Sequence, residues 1–271
     1  MNNIPISNKI PELDIAIKAA QEAANAILEI YEKDYKTFTK SDDSPVTDAD
    51  LQSNKIINKI LSVTNHSILS EEDVDNKNRL SKETIWIVDP LDGTSDFIDK
   101  TGEFTVMIAL IQNQKPVLGV IAWPTEKILF VGQKNYGAFR YSDNKWERIF
   151  VTKTSELSKC RTIGSRHHLS DKEKDFIEKI GIKDFTSIGS SLKVGKISSG
   201  EAEAYITTTN KMKEWDTAAS YCLITEAGGK MTDMLGNELT YNNKNVHHQN
   251  GILVTNGLIH DKILEEFKKL E

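Results

Sequence analysis

Apolar residues recur along this chain in two periods, and the change from one to the other marks out most of the elements. Leu13, Ile17, Ala20, Ala24, Ile27, Leu28 and Tyr31 fall at helical spacing behind Pro11, a residue suited to a first helical turn. Leu51, Ile56, Ile57, Ile60 and Leu61 repeat that pattern behind Thr47 or Asp48, either of which suits an N-cap. The polar stretch KSDDSPVTDAD between these helices reads as a turn-rich loop. From SILS onward the period shortens. Ile85–Val88 reads as a buried strand, and residues 104–112, 116–123, 127–132 and 137–141 are β-runs parted by short turns, as in an antiparallel meander. Past residue 160 strands and helices alternate. TIGS, FTSIG, EAYITTT and ILVTN read as strands, SLKVGKISSG as a helix closed by Gly200, DTAASYCLITEAGG as a helix closed by Gly228 and Gly229, and residues 258–270 as a last helix. The expectation is an α/β (α+β) protein with an α+β half over residues 1–150, built on an antiparallel sheet, and an α/β half over residues 151–271.

Composition narrows the partners more than the fold. The chain has 271 residues, with 34 Lys and Arg against 40 Asp and Glu and a net charge of −6. No basic patch or tail stands out, which argues against polymeric nucleic acid or an anionic membrane as partner. An anionic small molecule would need a local cluster of positive groups or a bound cation. Cys160 and Cys222 lack metal-ligand or redox spacing and read as free thiols of a reducing cytoplasm. The first residues lack the cationic start and apolar stretch of a signal peptide, and no run is long enough to cross a bilayer. The expected setting is cytoplasmic, as a monomer or homodimer.

The chemistry gathers at acids that stand where apolar strands end. They are Asp48 and Asp50 in PVTDAD, Glu71 and Glu72 in LSEED, Asp89 and Asp92 in DPLDG, and Asp216 in KEWDTAAS. Taken singly, each has a plainer reading: a helix cap for Asp48 or Asp216, a solvated strand end for Glu71 and Glu72, a turn for Asp92-Gly93. Together they suit hard divalent cations such as Mg²⁺, which take a few carboxylates and complete their shell with water and substrate phosphate. Two ions about 3.5–4 Å apart clamp the attacking and leaving oxygens of a phosphate ester. Asp89 and Asp92 lie three residues apart, whereas phosphatases of the haloacid-dehalogenase type separate their two acids by a single residue. That spacing favours direct attack by water over an aspartyl-phosphate. A helix beginning after Gly93 would turn free N–H groups toward the phosphate.

SPVTDAD, LSEED, WIVDPLDGTSDF and EWDTAASYCLITEAGG, in that order, resemble the inositol-monophosphatase superfamily of Mg²⁺-dependent, lithium-sensitive phosphatases over residues 10–260. GEFTVMIALIQNQKPVLGVIAWP, GSRHH, GSSLKVGKISSGEAEAY and GILVTN are similar to its 3′(2′),5′-bisphosphate nucleotidases. The resemblance implies a layered αβαβα sandwich. It also implies two or three Mg²⁺ ions held by Glu71, Asp89, the Leu91 carbonyl, Asp92 and Asp216. Catalysis would fall to Asp50 and Thr94, which activate the water, together with Glu71. Gly93, Thr94, His168, Ser190 and Lys193 would bind substrate. The implied reaction is hydrolysis of adenosine 3′,5′-bisphosphate to AMP and phosphate, which clears a by-product of sulfate activation. Ser95-Asp96 stands where such nucleotidases often have a lysine and an acid, and Ser165-Arg166-His167-His168 stands for the usual SRSH. An inositol monophosphate or a related sugar phosphate is therefore the alternative substrate, and a non-catalytic sensor of metal or nucleotide is a third reading. On composition alone Arg166, His167 and His168 are a surface turn with some anion-binding character, Lys193 a solvated lysine, and Trp86 and Trp215 core.

Overall fold

A computed structural model describes residues 4–39 and 45–269. The chain opens with α1 (Pro11–Tyr31), whose stripe from Leu13 to Ile27 is buried. A hairpin of β1 (Thr37–Thr39) and β2 (Pro45–Thr47) leads into α2 (Asp48–Leu61). Between the two N-cap expectations the structure chooses Thr47, whose side chain accepts from the Ala49 N–H at 3.1 Å. Of the loop expected between the helices, residues 40–44 lie outside the described residues, and the flanking residues pair as that hairpin.

The first sheet holds β3 (Ser67–Ser70), β4 (Thr84–Asp92), β5 (Thr105–Gln112), β6 (Lys115–Trp123), β7 (Ile128–Gln133), β8 (Gly137–Ser142) and β9 (Lys145–Ile149), in that order. Strands β5 to β9 form the antiparallel meander, and β4 is antiparallel to β5 but parallel to β3. The ends of β3 and β4 therefore point the same way, which brings Glu71 and Asp89 to one edge of the structure. The short helix α3 (Thr94–Ile98) lies between β4 and β5.

The second sheet uses β10 (Arg161–Ser165), β11 (Asp184–Ile188), β12 (Ala204–Thr207), β13 (Lys230–Thr232) and β14 (Ile252–Thr255), ordered β11-β10-β12-β14-β13. Its helices are α4 (Asp171–Lys179), α5 (Leu192–Ser198), α6 (Glu214–Glu226) and α7 (His260–Lys268). Helices α1 and α2 cover one face of the first sheet, and α5 and α6 fill the space between the sheets. The cluster around Phe176, Ile206, Leu253 and Ile263 places α4 and α7 on the far face of the second sheet. The result is the layered αβαβα sandwich, with a middle core drawn from both halves, Ile87 and Phe130 beside Leu192 and Leu223.

Apolar periodicity alone does not announce β9, α4 or β13. Helix α4 buries only Phe176 and Ile177 among its apolar residues, too few for a visible stripe. Its start is nonetheless written in the sequence: Ser170 and Glu173 form a reciprocal capping box, with bonds of 3.3 and 2.8 Å.

Candidate active site

Strand β4 delivers the central acids. Its pairing with β5 runs regularly to Asp89, then breaks across Pro90 and Leu91 before Asp92 meets Thr105. That irregularity lets two acids three residues apart sit at one place. Asp89 is buried, and its Oδ1 accepts from the Leu91 N–H at 3.1 Å. Gly93 then turns the chain at φ +94°, and a Cβ there would press within 3.1 Å of Ser190 and of the Glu103 carbonyl.

Helix α2 supplies Asp50. Its Oδ2 accepts from the Thr47 N–H and hydroxyl at 2.7 and 2.6 Å, while Oδ1 accepts from the Thr94 hydroxyl at 3.0 Å. Asp50 is thus both the third residue of a capped helix and the fixed partner of Thr94. Helix α6 supplies Asp216 from its first turn, with Oδ2 receiving the Lys213 N–H at 2.6 Å. Asp216 is therefore not the cap that its position suggested: the helix starts earlier, with Lys213 as the N-cap residue, and Asp216 reaches back to it from the third helical position.

Gly93, Thr94 and Asp216 border one cleft of about 660 Å³. Glu71, Asp92 and Asp216 stand on its wall with Gly93, Thr94, Ser190, Lys193 and His168. Asp50 and Asp89 are buried behind this lining. As the side chains stand, no three His, Cys, Asp or Glu among the described residues enclose a common point. The acids line a wall and do not form a closed cage. Mg²⁺ asks no more than that, since it keeps several waters and uses few protein oxygens.

Electrostatics bind the acids into a unit. Burial pushes the Asp89 carboxyl well above its ordinary range, and the charges of Glu71, Asp92, Asp216 and Glu72 push the same way. Burial and Glu71 likewise raise Asp216. Asp92 is raised by desolvation against the pull of Lys193 and of hydrogen bonds from Ser191. Burial also raises Asp50, which Thr47 and Thr94 partly offset. A set of carboxylates that oppose one another's ionisation, in a polar cleft, has the donor chemistry of a divalent-cation site.

Beside these acids Lys193 is not the solvated lysine that its position suggested. It is buried, donates to the Ser190 carbonyl and lies 5.3 Å over the Tyr205 ring. Burial lowers its pKa, and Asp92, Asp96, Glu103 and Asp216 oppose that. His168 and His167 border the cleft, whereas Arg166 is committed to Glu103 at 2.6 Å and is not a free anion binder. Loss of water and the nearby Lys211 lower His168. Trp86 and Trp215 are core.

Several contacts had no sequence signal. The Ser191 N–H donates to Asp92 Oδ2, and Thr105 Oγ1 lies 3.3 Å from the same oxygen and 2.7 Å from Ser191 Oγ. The two contacts of Ser191 cross from one half of the chain to the other, at separations no local pattern encodes.

A model of the inositol monophosphatase family matches residues 9–271. The chain belongs to that family. It is 34% identical over 252 residues to the 3′(2′),5′-bisphosphate nucleotidase CysQ of Salmonella typhimurium, covering 90% of this chain and 99% of that one. To the protein of the same name from Buchnera aphidicola it is 36% identical over 239 residues, 84% of this chain and 87% of the other. The crystal structure of CysQ from Bacteroides thetaiotaomicron superposes with a TM-score of 0.78 at 32% identity, covering 90% of this chain and 96% of that one. The fold and the phosphatase class rest on this membership. No helix among the described residues is long and apolar enough to cross a membrane.

Proposed function

We propose that the protein is a Mg²⁺-dependent phosphomonoesterase that removes the 3′-phosphate of adenosine 3′,5′-bisphosphate, giving AMP and phosphate. One observation carries the reading. Acids Glu71, Asp92 and Asp216 line one cleft together with the basic groups Lys193 and His168, in a chain similar to bisphosphate nucleotidases over 90% of its length. Such a cleft suits a substrate with one phosphate at the cations and a second anionic group beyond it.

The carboxylates of Glu71, Asp89, Asp92 and Asp216 and the Leu91 carbonyl would hold Mg²⁺, as two or three ions. When bound it supplies Lewis-acid charge and water of lowered pKa. The chain's own groups do the rest. The Thr94 hydroxyl, fixed by Asp50 at 3.0 Å, takes a proton from the attacking water as its own proton passes to Asp50 Oδ1. Burial makes Asp50 a better proton acceptor than an exposed carboxylate. The new P–O bond forms as the bond to the 3′-oxygen breaks, and that oxygen takes a proton from solvent water to leave as the 3′-hydroxyl of AMP. The Gly93 and Thr94 backbone N–H groups receive a phosphate oxygen, while Ser190, Lys193 and His168 hold the rest of the substrate.

Ser95 borders the cleft directly after Thr94, and it favours keeping an inositol or sugar phosphate as the second reading. Phosphate release from adenosine 3′,5′-bisphosphate and inositol 1-phosphate, with Mg²⁺ and then with EDTA, tests both. The expected result is turnover of the nucleotide that EDTA abolishes. Turnover of inositol phosphate alone replaces the substrate, and no turnover of either leaves the sensor reading.

A further inference from the structure

A cluster at the rim of the cleft joins the two halves, and the proposed chemistry does not use it. Glu103 lies between α3 and β5 and reaches across to the second sheet. Its Oε2 accepts from the Gly189 N–H at 2.6 Å and from Arg166 Nη2 and Nε at 2.6 and 3.2 Å. Arg166, just past β10, continues to Asp96 Oδ1 at 3.3 Å, and His167 Nε2 faces Asp96 Oδ2 at 3.3 Å. Asp96 is buried and also accepts from Thr101 Oγ1 at 2.9 Å. Two acids of the first half thus meet a guanidinium, an imidazole and a backbone N–H of the second.

What this seam grips is the turn that follows β11. A Cβ on Gly189 would stand 2.3 Å from Asp96 Oδ2 and 2.7 Å from the Glu103 carbonyl, so the backbone itself is pressed against the first half. Ser190 follows at φ +50°, a conformation that costs free energy for a residue with a side chain. Ser191 is tied to Asp92 and Thr105, and Lys193 donates back to the Ser190 carbonyl. A strained turn carrying Ser190 and Lys193 is therefore gripped on both flanks from the opposite half. Asp92 and Thr105 hold one flank, and Glu103 holds the other.

We propose that Glu103 and Arg166 are positioning residues, a clamp that fixes the Gly189–Ser191 turn and places Ser190 and Lys193 where they hold the rest of the substrate. The kinetic side of this proposal rests on the phosphatase reading. Glu103 accepts an N–H and pairs with a cation, and substitution separates the two roles. Glu103→Gln keeps the acceptor and loses the charge, whereas Glu103→Ala loses both.

The test measures steady-state kinetics on adenosine 3′,5′-bisphosphate with Mg²⁺ for Glu103→Ala, Glu103→Gln, Arg166→Met and Arg166→Lys. It adds hydrogen exchange by mass spectrometry over residues 186–195. The two truncations should raise KM about tenfold with kcat within about threefold of wild type, the scale of one charge-assisted hydrogen bond. Glu103→Gln and Arg166→Lys should recover most of that loss. Amides of the turn should exchange faster in Glu103→Ala while α1 and α2 stay as protected as in wild type. The clamp is overturned if both truncations keep the wild-type KM and turn exchange. It is also overturned if protection falls equally in α1, or if the conservative variants fare no better than the truncations. A wild-type protein that hydrolyses no phosphate ester would sink the functional reading, and the exchange result would still decide the clamp.

Discussion

Asp50 divides its two oxygens between two tasks, and the division makes Thr94 testable. Oδ2 is taken by the Thr47 cap, so the carboxylate cannot rotate away from Thr94 without uncapping α2. Thr94→Val keeps the shape and removes the hydroxyl. Phosphate release should fall by about 10²–10⁴-fold, the size of a lost proton-transfer group, while stabilisation of the fold by Mg²⁺ should persist. The sequence shows Thr47 as one of two possible caps and Asp50 as one of the acids, but nothing in their spacing says which oxygen stays available. A second residue reports on pH. His260 is buried between the hydroxyls of Thr232 and Thr255, at 2.8 and 2.9 Å, and burial, then Lys230, lower its pKa from 6.5 to about 4. Between those values the unfolded chain binds the proton and the folded chain does not, so stability falls as pH drops from about 6.5 toward 4. The full effect is on the order of 3 kcal/mol, since each tenfold change in proton affinity is worth about 1.4 kcal/mol. Buried His248, lowered to about 4 in the same way, adds to the slope. Urea unfolding midpoints across this range should show the fall, and His260→Asn should flatten part of it. An equal slope in the variant would remove His260 as a cause.

At the scale of elements, the position of Asp216 depends on how closely α6 lies on the first sheet. A Cβ on Gly119 of β6 would stand 2.4 Å from the Ala219 carbonyl, and one on Gly132 of β7 would stand 2.9 Å from Leu223 Cα. The helix backbone rests directly on the strands, and the missing side chains are what admit it. Gly119→Ala should therefore displace α6 and cost about 1–3 kcal/mol, the usual penalty for overpacking. Because Asp216 is in the first turn of that helix, activity should fall with stability. Full activity with an unchanged denaturation midpoint would show that α6 does not transmit the shift. This packing explains an unevenness in what the sequence discloses. Helices α1 and α2 were legible because one face alone is apolar. Helix α6 buries residues all round, from Trp215 to Ile224, and was found by its length and its closing glycines instead. Strands β9 and β13 escaped because they are short: β9 is mostly exposed, and β13 is only three residues long. The meeting of Asp50, Asp89 and Asp216 in one place depends on this layering. Only the resemblance of their motifs to a known family gave it away beforehand.

For the whole molecule, the acidic wall sets function against stability. Asp89, buried beside Glu71, Asp92 and Asp216, opposes folding whenever the group is ionised and uncompensated, since each charge has lost water and gained like neighbours. A divalent cation held there reverses the sign of those interactions and binds the folded chain in preference to the unfolded one. Mg²⁺ at about a hundred times its dissociation constant should then add about 2.7 kcal/mol. For a chain of this size that is a rise in Tm of about 5 °C. Asp89→Asn separates the two consequences of the wall. Without metal the variant should melt at or above the wild-type temperature, because one buried charge has gone from a repelling set. With Mg²⁺ the rise should largely vanish, and phosphate release should fall by at least about 10²-fold, as expected when a cation that polarises the phosphate is lost. Melting curves in EDTA and in Mg²⁺, for both proteins, make the comparison. A variant that melts lower than wild type in EDTA yet gains the same increment from Mg²⁺ would place the cation elsewhere and leave Asp89 a purely structural carboxylate.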